Sequence, residues 1–121
     1  HALQPMERYV SKSGREGFII YSMANFISFQ PEMNQKSTLM TFVGLTKKPN
    51  GETVVNGVRY LPALMRNRTG NLMDVELLPL EQAQRDPLYS QVKEHIESMF
   101  PAENEMNFGE QVVTNPQCSH L

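Results

Sequence analysis

The sequence is poor in the residues on which several protein classes depend. It has one cysteine, Cys118, in 121 residues, which excludes an internal disulfide framework and a multi-cysteine zinc site. It has no tryptophan, and its 11 basic residues do not exceed its 13 acidic ones. The sequence therefore lacks the positive excess with which proteins hold a nucleic-acid backbone, and we expect no nucleic-acid partner.

Long apolar runs are also missing. No stretch approaches the ~20 apolar residues that a membrane-spanning helix needs. The start, His1-Ala2-Leu3-Gln4-Pro5, does not have the basic-then-apolar pattern of a signal peptide. We therefore expect any targeting segment or membrane anchor to belong to a longer parent protein.

The remaining composition indicates one folded domain. The sequence is 40% hydrophobic and 20% charged, which is typical of a globular chain and not of a disordered one. We expect the folded part to span residues 1–100. Residues 101–121 are polar with few apolar anchors, which predicts a loose C-terminal tail.

Several segments have the pattern of β-strands. Residues 17–22 are short, aromatic and β-branched, which predicts a strand buried on both faces inside a sheet. Residues 37–47 and 52–65 predict a hairpin, because Asn50-Gly51 lies between them. Residues 72–78 predict a third strand, alternating around two acidic residues.

Two features interrupt the second strand of the predicted hairpin. The pair Asn56-Gly57 predicts a bulge or a second tight turn. Pro62 lacks a backbone N–H, so we expect it to end the ladder or to lie on an edge.

One segment has the pattern of a helix. Asp86 can cap a helix, and Pro87 suits its first position. The apolar stripe at three- and four-residue spacing comprises Leu88, Val92, Ile96 and Met99, and Pro101 should end it. The elements together predict an α+β fold of antiparallel strands with one or two helices.

The histidines and the cysteine give few signs of chemistry by themselves. His95 is expected to be a partly exposed histidine on the helix surface. Cys118 and His120 form a Cys-x-His pair, and two ligands in a loose tail are a weak metal signal. A histidine at the first position, as at His1, is also a common remnant of cloning.

The residues that follow His1 change this interpretation. Residues 1–7 read His-Ala-Leu-Gln-Pro-Met-Glu, and residues 20–30 read Ile-Tyr-Ser-Met-Ala-Asn-Phe-Ile-Ser-Phe-Gln. Together they resemble the C-terminal region of the bacterial capsule-synthesis CapA family, which is linked to poly-γ-glutamate capsule production. The family pattern is Gly-x-His-x-His, a hydrophobic residue, Leu-Gln-Pro and an acidic residue, then Tyr-Ser-Leu-Gly-Asn-Phe. The resemblance covers residues 1–30 well and extends plausibly through 37–80.

The resemblance implies the C-terminal part of a calcineurin-like metallophosphoesterase sandwich acting in capsule polymer synthesis or export at the bacterial cell surface. His1 matches the last histidine of Gly-x-His-x-His, so it would be a ligand of a divalent metal ion, Mn, Zn or Fe, in the full-length parent. Most other ligands would come from an N-terminal part that this sequence does not contain. We therefore expect this part alone to hold no metal and to be catalytically inactive, although the parent could be a metal-dependent hydrolase.

The resemblance also suggests partners. The missing N-terminal half or a second copy of the chain should cover the apolar strand at residues 18–20. The substrate would be an anionic polymer or a phosphate-containing molecule. Contact with a membrane is expected only through an anchor on the parent.

Other candidate site residues follow from the same match and from charge. Glu7 matches the acidic position, where it could orient a ligand histidine or a substrate amine. Asn25 matches the family asparagine, which could contact substrate or hold a loop. Gln30 is a polar position with an open role. Arg66 and Arg68 could grip an anionic substrate or could simply be solvated.

One position departs from the family pattern. Ala24 stands where the family has glycine, so we expect the backbone there to have an ordinary negative φ.

Two other classes of function remain open at this point. The chain could be a metal-free β-rich binding module that uses the hairpin at residues 41–65 as a recognition surface. A small nucleic-acid-binding barrel, with Phe42 and Tyr60 stacking on bases, is disfavoured by the charge balance.

Overall fold

The computed structural model describes residues 1–26, 28, 30–71 and 74–110, and it has an α+β architecture of two antiparallel sheets and one α-helix. The strands are β1 (Met6–Val10), β2 (Glu16–Ile20), β3 (Ser37–Lys47), β4 (Thr53–Asn67) and β5 (Val75–Pro79), and the helix is α1 (Tyr89–Glu97). Short 3-10 turns cover Met33–Gln35, Leu80–Ala83 and Ala102–Asn104. The predicted α+β class, with antiparallel strands and a helix, is thereby confirmed.

The larger sheet contains three strands in the order β3-β4-β5. Its first hairpin confirms the predicted strands and turn, and β3 has the predicted bounds. Gly44 is opposite Gly57 and Leu45 is opposite Val55, so Asn56 is an extra residue of β4. The Asn-Gly pair inside the second strand is therefore a β-bulge and not a second turn.

Pro62 lies in the middle of β4, opposite Leu39 of β3. The backbone nitrogen of Met65 donates to the Lys36 carbonyl oxygen at 2.8 Å, and backbone groups alternate between the two edges of a strand. The nitrogen of Pro62 therefore points away from β3. The β4–β5 ladder extends only to Ala63, so Pro62 ends pairing on the β5 side while the β3 ladder continues past it.

The smaller sheet is the hairpin β1–β2, and it corrects two expectations. The strand predicted for residues 17–22 is one member of a two-stranded sheet and is half-buried, so it does not lie inside a larger sheet. The polar residues before it form β1, which the sequence did not indicate. Met6 and Ile20 are paired and pack against the core, while Glu7 and Tyr9 are exposed. Every residue of β1 after Met6 is exposed, so its sequence has no apolar alternation that could have indicated a strand.

The main core lies between the larger sheet and α1. The predicted stripe of α1 is confirmed: Val92 and Ile96 are buried, and Leu88 and Met99 pack against the same cluster. The ring centroids of Tyr60 and Phe100 are 5.3 Å apart. The other buried members of the cluster are Leu3, Leu39, Leu64, Leu80 and Ala83. The prediction that Asp86 caps the helix and Pro87 opens it is wrong: α1 begins at Tyr89, after the N-cap Leu88, and Asp86 accepts a hydrogen bond from the Leu88 nitrogen at 2.9 Å in the preceding turn.

The segment at residues 101–110, here called the C-terminal strap, is attached to β4. The Met106 nitrogen donates to the Tyr60 carbonyl oxygen at 2.8 Å, and the Met106 side chain is buried. The Asn104 amide donates to the Val58 carbonyl oxygen at 2.6 Å. The expectation of a loose tail is therefore wrong for these residues, because the free edge of β4 beyond the end of β5 offers backbone partners. Residues 111–121, with Cys118 and His120, lie outside the described residues.

Candidate functional site

The two motifs of the sequence lie side by side. The Gln4 nitrogen donates to the Ser22 carbonyl oxygen at 3.0 Å, and the Tyr21 nitrogen donates to the Pro5 carbonyl oxygen at 3.2 Å. Leu3 and Met23 form an antiparallel bridge. These contacts extend the β1–β2 hairpin towards the N-terminal end of the chain and bring His1 next to Asn25, which is 24 residues away in sequence.

Asn25 holds this corner together through both ends of its amide. It is only 6% exposed. Its Nδ2 donates to the carbonyl oxygens of His1 at 2.6 Å and Gln35 at 3.3 Å. Its Oδ1 accepts from the N-terminal ammonium group at His1 at 3.0 Å and from the Ser28 hydroxyl at 2.9 Å. Each amide atom has partners in this structure, so the observed contacts of Asn25 match loop-holding, one of its two predicted roles.

The backbone at Ala24 corrects the expectation made for it. Its φ is +62°, and it is the one non-glycine residue in the described chain with positive φ. The left-handed conformation brings a Cβ close to the following carbonyl oxygen, so glycine is the residue that adopts it readily. The turn before Asn25 therefore does demand the conformation that a glycine would supply.

Glu7 is paired with Tyr21 across the outer face of the β1–β2 hairpin. The Tyr21 hydroxyl donates to Glu7 Oε1 at 2.5 Å. The hydrogen bond with the Glu7 carboxylate, followed by its negative charge, raises the pKa of Tyr21 above its ordinary value. In this structure the Glu7 carboxylate therefore orients a tyrosine of the second motif, and both side chains are exposed.

The two arginines proposed for anion binding already have carboxylate partners. Arg66 Nη2 lies 2.7 Å from Glu76 Oε2 and its Nη1 lies 3.7 Å from Asp86 Oδ2. Arg68 Nη2 is 3.0 Å from the same oxygen of Glu76. The hydrogen bond from Arg66 is the main reason that the pKa of Glu76 is lowered. Two positive and two negative groups meet here, so an incoming anion would have to displace a carboxylate.

The remaining histidine and the remaining polar candidate lie apart from this ion-pair network. Gln30 is half-buried on the segment that leads from Asn25 to β3. His95 is half-buried on α1, and among the described residues its Nε2 has no hydrogen-bond partner. Within the described residues, no group of three or more His, Cys, Asp or Glu side chains could hold a metal ion. His1 thus offers one exposed imidazole, which is too few ligands for a metal site.

A cleft of about 450 Å³ opens between the β1–β2 hairpin and the bulged end of β4. Its apolar wall includes Met6 and Phe18, and the strap closes it at Pro101. Its charged lining residues are Glu7, Arg8, Glu16 and Glu103, a net charge of −2. This charge does not suit an anionic ligand.

The sequence missed two of the partners that define the Asn25 corner, the Ser28 hydroxyl and the Gln35 carbonyl oxygen. Neither has a sequence signal, because only the path of the loop brings them to Asn25. Among the described residues, no helix is long and apolar enough to cross a membrane. Comparisons with protein-family models, with curated proteins and with solved structures found no match for this chain.

Proposed function

We propose that this chain is the C-terminal portion of a CapA-like protein of the metallophosphoesterase superfamily, acting in the synthesis or export of a capsule polymer such as poly-γ-glutamate. His1 is then one ligand of a divalent metal ion, and the other ligands belong to an N-terminal portion of the same protein. The observation that carries the proposal is the 2.6 Å hydrogen bond that Asn25 Nδ2 donates to the His1 carbonyl oxygen.

This contact supports the proposal because it links the two motifs on which the resemblance depends. A metal ligand needs a fixed backbone, since coordination distances tolerate only a few tenths of an ångström. Asn25 fixes the His1 backbone while its imidazole stays exposed to a further part of the protein. The positive φ of Ala24 also explains why the family pattern has glycine at this position, because glycine adopts positive φ readily. This conformation aims the Asn25 side chain at His1.

The described residues do not form a metal cage, so no reaction step is assigned to the ion. In the parent, a bound Mn, Zn or Fe ion would polarise a phosphoryl oxygen and supply hydroxide near neutral pH. The residues of this chain would position the ligand: Asn25 holds the His1 backbone, and Glu7 and Tyr21 brace the strands that carry both motifs.

Metal analysis of the full-length parent protein tests the proposal. We expect bound Mn, Zn or Fe in a fixed ratio to protein, and we expect His1→Ala to remove most of it. His95→Ala is the matched control, because it deletes an imidazole from α1, and it should leave the metal content unchanged. A parent without metal, or equal metal in wild type and His1→Ala, would contradict the ligand assignment.

The codons directly upstream of His1 in the parent gene provide an independent test. We expect them to encode Gly-x-His-x. Any other sequence there would remove the basis for treating His1 as a ligand.

A metal-free binding module is the alternative, and one observation favours it. Val43 and Leu45 are exposed on the long hairpin that the sequence suggested as a recognition surface. This alternative predicts a metal-free parent in which the hairpin side chains, and not His1, determine the binding of a partner.

A further inference from the structure

Strand β3 forms an outer edge of the three-stranded sheet. In the part of the chain that the structure describes, it pairs with β4 on one side only. The Lys36 carbonyl oxygen accepts a hydrogen bond from the Met65 nitrogen, and the Lys48 nitrogen donates one to the Glu52 carbonyl oxygen. These two bonds show which residues of β3 direct their backbone groups towards β4. The even-numbered residues therefore direct their backbone groups to β4, and the odd-numbered ones direct theirs outward.

The outward backbone groups are unpaired over the second half of the strand. No hydrogen bond in the described chain reaches the backbone N–H or C=O of Thr41, Val43 or Leu45. Earlier in the strand, Ser37, Thr38 and Leu39 are buried, so that part of the edge is not accessible to another strand. The free edge is therefore residues 41–47.

Except for Lys47 at its end, this free edge lacks the features with which proteins usually prevent strand pairing. Residues 41–46 contain no charged residue and no proline, and the bulge opposite Gly44 lies in β4 and not in β3. Val43 is 41% exposed and Leu45 is 61% exposed. An extended strand with free backbone donors and acceptors and apolar side chains is a template for another strand.

The free edge is complementary to itself. If a second copy pairs with it antiparallel about a two-fold axis at Gly44, Val43 is opposite Leu45 of the second copy, and the reverse pair forms on the other side of the axis. Both residues direct their backbone groups outward, so they form the hydrogen-bonded type of pair. Lys47, the one charged residue of the edge, is opposite Thr41 of the second copy, so no like charges meet.

We propose that β3 is a strand-addition site whose occupant is a second copy of this chain, giving a continuous six-stranded sheet. The exposed Met23 adjoins the same edge, since its sulfur lies 3.8 Å from the Thr41 hydroxyl, and it extends the apolar contact. A seven-residue strand pair with one flanking side chain buries less than the ~1,200 Å² of standard interfaces, so the dimer should be weak and should depend on concentration. The proposal does not depend on the metal assignment.

Sedimentation equilibrium of the 121-residue chain over a range of concentrations measures the association. We expect reversible dimers, and we expect the double variant Val43→Lys/Leu45→Lys to weaken association at least tenfold, because it places two lysine pairs opposite each other. Val10→Lys is the matched control, since Val10 is 60% exposed on β1, and it should leave the dimer unchanged. Circular dichroism of each variant verifies folding.

Disulfide trapping tests the register in a Cys118→Ser background. Cα atoms of a hydrogen-bonded antiparallel pair are ~5.5 Å apart, within the range of a disulfide. A mixture of Val43→Cys and Leu45→Cys chains should therefore cross-link rapidly. Val43→Cys alone should cross-link slowly, because its cysteines would be diagonal neighbours at ~7–8 Å.

Three results would overturn the proposal. The first is a chain that remains monomeric at ~1 mM, where an association of only ~4 kcal/mol would be visible. The second is a dimer that the double variant leaves unchanged. The third is trapping by Val43→Cys alone as fast as by the mixture. The chain could also stay monomeric and bind the N-terminal portion of the parent protein through this edge. The strand that pairs with β3 would then come from that portion and not from a second copy.

Discussion

At the scale of single residues, two neighbours in the second motif have opposite energetic roles. Asn25 stabilises the corner through four hydrogen bonds, and Ala24 is strained by a positive φ. The strain is tolerated because this conformation directs the Asn25 amide into a buried position where backbone groups need partners.

The strain at Ala24 predicts a stabilising substitution. The left-handed conformation costs a residue with a Cβ roughly 1–2 kcal/mol, and the freedom of glycine in the unfolded chain offsets ~0.4–1 kcal/mol of that. We therefore expect Ala24→Gly to raise the free energy of unfolding by ~0.5–1 kcal/mol in urea denaturation. Ala102→Gly, at an exposed alanine without positive φ, should lower it slightly. A destabilised Ala24→Gly chain would contradict the positive φ.

At the scale of elements, an ion-pair network joins β4, β5 and the start of α1. Glu76 of β5 contacts Arg66 and Arg68, and Arg66 also approaches Asp86 beside the helix. The acidic members of the network also explain why two arginines near a strand end are not a free anion site.

The network predicts a pH dependence of stability. The Arg66 hydrogen bond lowers the pKa of Glu76 in the folded protein, so the folded state binds fewer protons than the unfolded state over that range. The stabilisation that ionised Glu76 gives the folded protein is fully present above the unfolded pKa of about 4.3. It is lost as the pH falls through the lower pKa of the folded state. Glu76→Gln should flatten the decline of the unfolding free energy below about pH 5.

The control for this prediction is Glu94→Gln on the exposed face of α1, whose side chain has no ion pair in the described structure. It should leave the acid profile nearly unchanged. Equal slopes for wild type and Glu76→Gln, measured by urea denaturation between pH 3 and 6 at steps of about half a unit, would exclude the network as a source of acid lability.

At the scale of the whole molecule, the β1–β2 hairpin is attached to the rest by few apolar side chains. Leu3 is its main buried anchor, and Met6 and Ile20 add half-buried contacts. The same attachment carries His1 and Asn25. The position of the candidate site therefore depends on how firmly this small sheet is docked.

Deletion of the anchor should loosen the hairpin before the rest of the molecule. Leu3→Ala removes a buried side chain and should cost ~2–5 kcal/mol. Hydrogen exchange should accelerate most at the amides of β1 and β2 and least in the β3–β4 ladder. Val10→Ala, at an exposed valine of β1, should change stability by less than ~0.5 kcal/mol. Uniform acceleration across both sheets would indicate that the two sheets unfold as one unit.

Much of the larger sheet and the helix could be predicted from sequence. The bounds of β3, the Asn-Gly turn and the apolar stripe of α1 follow from local rules of alternation, turn chemistry and helical spacing. At Asn56 the sequence allowed a bulge or a second turn, and the structure identified the bulge. The candidate residues His1, Glu7 and Asn25 also came from the sequence, through the family resemblance. These features depend on a few neighbouring residues, so the chain encodes them locally.

The tertiary structure alone decided how these pieces meet. It formed β1 from a polar segment, attached the strap to β4, gave Arg66 and Arg68 acidic partners, and required positive φ at Ala24. Each of these depends on backbone groups and charges that are distant in sequence and compete for the same partners. That competition is settled only when the whole chain is packed, because a buried donor, acceptor or charge must be satisfied by whichever group lies next to it.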